Sequence, residues 1–408
     1  MYQIKELANG IRIVHQEVTH TRLVHCGFIL NIGSRDETKE QEGLAHFWEH
    51  MAFKGTQKRK TFHIINRLES LGGELNAYTT KEKICFYASV LKEHYAKAAD
   101  LLFDITFNST FPTKEIEKER QVILEEMAMY RDSPDDSIQD ELDALVFENH
   151  ALGRNILGNE ETVANFSQQD FFDFISSRLD TSQVVFSIVG NISFSKALKL
   201  IEGPLSEIKP KRTLYLRSGF HDYTPQSKTV KRDISQSLSA IGRPAFSQHD
   251  PNRYKLYLLN NILGGPSMNS RLNLALREKY GYVYSIESSY QPFSDTGFFG
   301  IYFGTEEKTL KKSTQIVLRE MQKLRTKKLG TMQLHMAKEQ AIGQMAMAEE
   351  NYAALMLVYG KSLIDHGKID PLERIFEQIR DTTAEELLEI AGMILDPEQL
   401  THLTYLPN

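Results

Sequence analysis

Two segments about seventy residues apart carry side chains that point to one shared site. The first, Gly43-Leu44-Ala45-His46-Phe47-Trp48-Glu49-His50-Met51, reads as one helix with apolar residues between three polar ones. His46 and His50 are four apart, so both imidazoles leave nearly the same face. Glu49 sits about 60° around the helix from His46. Two neutral imidazoles one turn apart can share a Zn²⁺ ion at about 2.0–2.1 Å each, and a catalytic zinc takes a third protein donor while keeping one position open for water. The order is H-x-x-E-H, the inverse of H-E-x-x-H, and it supports the same chemistry. The third donor is expected in Glu117-Lys118-Glu119-Arg120-Gln121-Val122-Ile123-Leu124-Glu125-Glu126-Met127. Glu119 and Glu126 are two turns apart and share a face, whereas Glu125 points away. One of that pair can bind the metal and the other can orient a ligand or the water.

The rest of the composition narrows the class. A length of 408 residues suggests two or three domains with ample core. Lysine and arginine number 48 against 54 aspartate and glutamate, net −6, with no long basic run, so electrostatics gives no reason to invoke nucleic acid. Cys26 and Cys85 form no C-x-x-C motif and lie in apolar, strand-like runs, which predicts buried free thiols. No apolar run is long enough for a membrane span, and the stretch from Met1 to Glu6 has no apolar leader pattern. A reducing, cytoplasmic location is the expectation.

Residues 2–6 and 11–17 flank Asn9-Gly10, a two-residue hairpin signal. Leu23 to Ile32 predicts a central strand, Phe62 to Leu71 a helix, Glu74 to Thr80 a strand after Gly72-Gly73, and Ile84 to Val90 its hairpin partner. Helical patterns follow at 91–107 and 113–131, and Gln183 to Val189 predicts a strand. The prolines between 203 and 227 mark a linker between halves. The second half repeats the first in outline, with Glu126-Met127-Ala128-Met129 echoed by Gln344-Met345-Ala346-Met347 and no second H-x-x-E-H. If the echo marks equivalent positions, an amide stands where the first half has a carboxylate. Gly264-Gly265-Pro266-Ser267 opens a helix, but without the G-x-x-x-x-G-K-[ST] pattern of a phosphate loop.

H-x-x-E-H followed by a helix reading Glu-Arg-x-x-x-x-Glu-Glu resembles the inverzincin peptidases: pitrilysin, insulin-degrading enzyme and the mitochondrial processing peptidases. In that family the third ligand follows the second histidine by about 76 positions. The resemblance therefore selects Glu126 as the ligand and Glu119 as the accessory carboxylate. The segment G-G-x-x-N-A matches an edge strand beside the metal, which implies that Asn76 and Ala77 hold substrate backbone as an added strand. Ser270-Arg271-Leu272 and Gly281 through Ser285 match a further family segment. In it an arginine and a tyrosine seven residues on bind substrate and polarise the scissile carbonyl. Arg277 and Tyr284 carry over, with guanidinium donors for carbonyls and a hydroxyl for a developing oxyanion.

What the resemblance and the residues imply together is an α+β fold of two related domains, each a mostly antiparallel sheet packed with helices. The expected division is 1–205 for the zinc-binding catalytic domain, 206–227 for the linker, and 228–408 for a related domain without the metal site. The implied function is zinc-dependent endopeptidase action on peptides or unfolded polypeptide in a dimer chamber, with one Zn²⁺ per chain. Zinc lowers the pKa of its water toward about 7, and Glu49 accepts that water's proton as general base. A homodimer is implied because this chain has both the zinc motif and the arginine–tyrosine pair, with a heterodimer as the alternative. The competing function is a catalytically silent structural or regulatory subunit.

Overall fold

The computed structural model describes residues 2–408. In chain order the first half contains β1 (Tyr2–Glu6), β2 (Arg12–Glu17), β3 (Leu23–Leu30), α1 (Leu44–Met51), α2 (Thr61–Glu69), β4 (Glu74–Thr79), β5 (Ile84–Leu91), α3 (Tyr95–Phe107), α4 (Thr113–Asp132), α5 (Pro134–Val146), α6 (Glu160–Asn165), α7 (Gln168–Arg178), β6 (Val184–Gly190) and α8 (Phe194–Ser206). Then come β7 (Ser227–Arg232), β8 (Ser237–Ala245), α9 (Arg253–Gly264), β9 (Val283–Pro292), β10 (Gly297–Thr305), α10 (Glu307–Thr326), α11 (Thr331–Glu349), α12 (Tyr352–His366), α13 (Leu372–Asp381), α14 (Ala384–Ile394) and β11 (Thr401–Pro407). Residues 207–226 form no helix or strand.

The chain makes two compact units, and neither is continuous in sequence. The first comprises residues 1–128, 154–217 and 347–369, and the second comprises 129–153, 218–346 and 370–408. The first unit's sheet has the order β1-β2-β6-β3-β5-β4. All its pairs are antiparallel except β2 with β6. β3 is buried from Val24 to Leu30 and carries apolar residues on both faces, as a strand covered on both sides requires. Val24, Cys26, Phe28 and Leu30 join the core shared with α1, α3 and α8, while Ile29 faces the opposite way. On that opposite face lies α12, whose Leu355, Met356, Tyr359, Leu363 and Ile364 cover Val14, Ile29, Cys85, Val185 and Val189. Gly360 permits the approach, since a Cβ there would stand 2.3 Å from Ile29 Cδ1.

The second unit's sheet has the order β7-β11-β8-β10-β9. Matching β2, β6, β3, β5 and β4 to β7, β11, β8, β10 and β9 reproduces the order, including the single parallel pair, β7 with β11. Here too a helix from the other half of the sequence covers one face: Ile138, Leu142 and Val146 of α5 pack with Leu238, Ala240, Leu403 and Tyr405. The duplication suggested by the sequence is thus realised in five strands of each sheet, β1 having no counterpart, with one helix exchanged in each direction.

The β1–β2 hairpin differs in detail from its expected two-residue turn. Leu7 and Ile11 are hydrogen-bonded, so Ala8, Asn9 and Gly10 close the loop. Asn9 is buried and donates to the carbonyls of Leu205 and Ile208, which accounts for the longer loop. Both cysteines are buried and free. No helix among the described residues is long and apolar enough to cross a membrane.

Candidate active site

Leu44, Ala45, Phe47, Trp48 and Met51 of α1 are buried, so the short helix is held by its apolar face, and Trp48 lies against Phe86 of β5. Its start is fixed from outside. The Glu37 carboxylate is buried and accepts from the backbone N–H groups of Gly43 (3.0 Å) and Ala45 (2.7 Å). These are donors that the helix itself cannot satisfy. Gly43 has φ 93°, and a Cβ there would stand 2.4 Å from the Leu157 carbonyl, so only glycine fits. The loop before it is tied down by Arg35 on Glu82 (2.6 Å) and by Arg217 on Asp36 (2.8 Å). Replacing Glu37 with alanine leaves two buried donors unpaired and should cost about 2–4 kcal/mol. A denaturant titration in which Glu37→Ala unfolds with the parent would refute this role.

On α4 the buried stripe runs Ile116, Glu119, Ile123, Met127, which carries a carboxylate inward where an apolar residue would be expected. Glu126 lies beside that stripe with its side chain 24% exposed. The two helices therefore meet with polar groups facing. Glu126 Oε2 is 3.8 Å from His46 Nε2 and 3.5 Å from His50 Nε2. One donor atom from each of these residues lies within 4.8 Å of the others. Glu119 Oε1 accepts from His50 Nδ1 at 2.9 Å. A carboxylate can only accept, so Nδ1 is the donor in this contact, and Nε2 is the ring nitrogen that faces Glu126. Lys54, just past α1, places Nζ 2.6 Å from Glu119 Oε2.

Electrostatics sharpens the picture. Burial, with His50 adding to it, pushes His46 down to about 3, so this imidazole is neutral at physiological pH and its lone pair is available. Burial raises Glu49, with Thr79 and His50 opposing. It raises Glu126 too, with His50 opposing and Glu119 adding. For Glu119, burial acts upward, but the bonds from His50 and Lys54 outweigh it and hold this carboxyl below its usual value. When ionised, Glu49, Glu119 and Glu126 against Lys54 leave three negative charges facing one positive. Two imidazole nitrogens, a carboxylate and an uncompensated charge of about −2 fit a divalent cation, and the N/O donor set suits zinc.

The substrate-binding candidates fall in both units. Asn76 and Ala77 lie on β4, the outermost strand of its sheet. Asn76 Oδ1 accepts from the Ala77 N–H at 2.8 Å. In the second unit, Arg277 belongs to a six-residue π-helical turn, Asn273–Glu278, and its side chain is 43% exposed beside Glu278. Tyr284 is 88% exposed at the start of β9, also a sheet edge. Where the first unit has facing carboxylates, Gln344 of α11 accepts from Asn261 of α9 (2.6 Å) and donates to Ser267 (2.8 Å). The sequence reading missed Lys54 and Glu37. Lys54 follows His50 by four residues, a helical spacing that could have flagged it.

Comparison with known proteins adds to this geometry. The family model described as Insulinase (Peptidase family M16) matches residues 12–160, and that described as Peptidase M16 inactive domain matches 165–341. The chain is 35% identical over 388 residues to an uncharacterised zinc protease of Bacillus subtilis, covering 95% of this chain and 94% of that one. It is 33% identical over 395 residues to one from Rickettsia felis, covering 96% and 95%. A protease from Helicobacter pylori superposes with a TM-score of 0.93 at 18% identity, covering 100% of this chain and 99% of that one, and shows the same fold.

Proposed function

Since this chain belongs to the insulinase-like peptidase family M16, we propose that it is a zinc endopeptidase that hydrolyses peptides or unfolded polypeptide, with one metal ion per chain. The observation that carries this reading is the meeting of His46, His50 and Glu126 on two facing helices with Glu49 beside them. Bound at those three residues, zinc would supply Lewis-acid activation of water and of the scissile carbonyl.

The chain's own residues do the rest. Glu119 keeps the His50 proton on Nδ1, so that Nε2 serves as the donor. Glu49 takes the proton of the attacking water and returns it to the leaving amine. Its raised proton affinity, set by a buried position, brings it closer to that task. The free edge of β4 offers backbone groups to an extended peptide, and Asn76 and Ala77 would align it. Arg277 and Tyr284 are assigned to substrate and oxyanion binding. A tyrosine serving only as core would be buried, and this one stands in solvent. We take the working form to be a homodimer, in which the pair acts on the partner chain's site, with a heterodimer as the alternative. Two buried free thiols suit the cytoplasm.

The test is cleavage of a quenched fluorescent peptide library, with zinc content measured on the same samples. The parent is expected to hold one zinc and cleave. Glu126→Ala, with one of three donors gone, should lose zinc affinity by about 100-fold or more and cleavage with it. A parent that holds zinc but cleaves nothing would favour a structural or regulatory subunit.

A further inference from the structure

Lys54 is not a metal ligand and stands outside the H-x-x-E-H motif, yet it closes a chain of three groups that ends on His50. Its ammonium is 2.6 Å from Glu119 Oε2, and the other oxygen of the same carboxylate is 2.9 Å from His50 Nδ1. The Glu119 side chain is only 9% exposed, and no other lysine or arginine among the described residues pairs with it. A carboxylate gripped at both oxygens has one orientation. In a buried place that also contains Glu126 and Glu49, the ammonium holds Oε2 and so fixes the carboxylate plane from which Oε1 meets His50 Nδ1. Without that contact the Glu119 side chain is free to swing toward solvent, and the ring of His50 then loses the partner that fixes its angle.

We infer that Lys54 is a positioning residue that acts through Glu119 to present His50 Nε2, and so sets the affinity of the site for a divalent metal ion. The inference rests on the metal-site reading above and goes beyond it by assigning a residue with no metal or substrate contact. It predicts that Lys54 governs metal retention and leaves peptide recognition alone.

The experiment measures Zn²⁺ affinity of the full-length protein by competition with a chromogenic chelator, and the visible absorption of the Co²⁺ form. The variants are Lys54→Met, Lys54→Arg, Glu119→Gln and the double variant Lys54→Met/Glu119→Gln. Lys54→Met should weaken zinc binding by about 10–100-fold and alter the cobalt spectrum. Lys54→Arg should recover most of the loss. In the Glu119→Gln background, Lys54→Met should add nothing, because a residue that works through Glu119 has no route once that carboxylate is gone. With zinc saturating, KM for a cleaved peptide should stay at the parent value.

Parental affinity in Lys54→Met would overturn the inference. So would an equal loss with and without Glu119, which would make Lys54 a support of the turn after α1. Chelator competition needs no cleavage, so a parent that binds zinc but cuts nothing defeats the endopeptidase reading and leaves this test running. A parent that does not bind zinc overturns both.

Discussion

Glu49→Gln should lower the turnover of a cleaved peptide by about 10²–10⁴-fold while leaving one zinc per chain. The substitution keeps size and hydrogen-bonding shape but removes the capacity to accept a proton. Glu49 is outside the set of His46, His50 and Glu126 that can share an ion, so metal content should not fall. Its carboxyl faces Thr79, at the end of the edge strand proposed to receive the peptide. Binding of an uncleaved peptide should therefore persist in the variant. Turnover and metal analysis on one preparation decide the matter. A variant that keeps a tenth of the parent's turnover removes Glu49 from the chemistry, and one that loses zinc makes it a structural residue.

A protein ending at residue 217 should fail to reach a native state, although it contains all the proposed ligands. The reason is α12. Its Leu355, Met356, Tyr359, Leu363 and Ile364 cover one face of the first sheet. Burying a side chain of that size contributes about 1.5–3 kcal/mol, so five of them rival the roughly 5–15 kcal/mol by which a domain is stable. Ser187, buried in the sheet, also donates to the Met356 carbonyl at 2.6 Å. The truncated chain should bind a hydrophobic dye, show no cooperative melt and aggregate. Adding a peptide spanning 347–369 should restore a melt and zinc binding together. A cooperative, dye-silent melt of the 1–217 protein alone would refute this account.

The candidate cluster was legible in part because its chemistry is local: four-residue and seven-residue spacings place His46 with His50, and Glu119 with Glu126, on shared helix faces, while the choice of Glu126 over Glu119 came only through the resemblance. The edge position of β4 was legible only through the resemblance, because strand order depends on pairings far apart in sequence. The exchange of α5 and α12 left no readable signal. An amphipathic helix is apolar on one side in either unit, and nothing in its sequence says which sheet it will cover. Glu37 was missed for a related reason. It looked like one more acidic residue in a polar loop, and only the tertiary structure shows it buried on the first turn of α1. The hairpin at Asn9-Gly10 was read from its turn dipeptide, but Asn9 is drawn to carbonyls near residue 205, and that distant demand sets the loop.

The exchanged helix also puts a clock on biosynthesis. The last sequence-continuous part of the first unit ends at residue 217, and the helix that covers its sheet begins at Tyr352. At about 5–20 residues per second, a ribosome needs roughly 7–27 s to traverse the 134 residues between them. Throughout that interval Val14, Ile29, Val185 and Val189 have no cover from their own chain. The nascent first unit thus carries an uncovered apolar sheet face, and it acquires its final form only after some nine-tenths of the chain has been made.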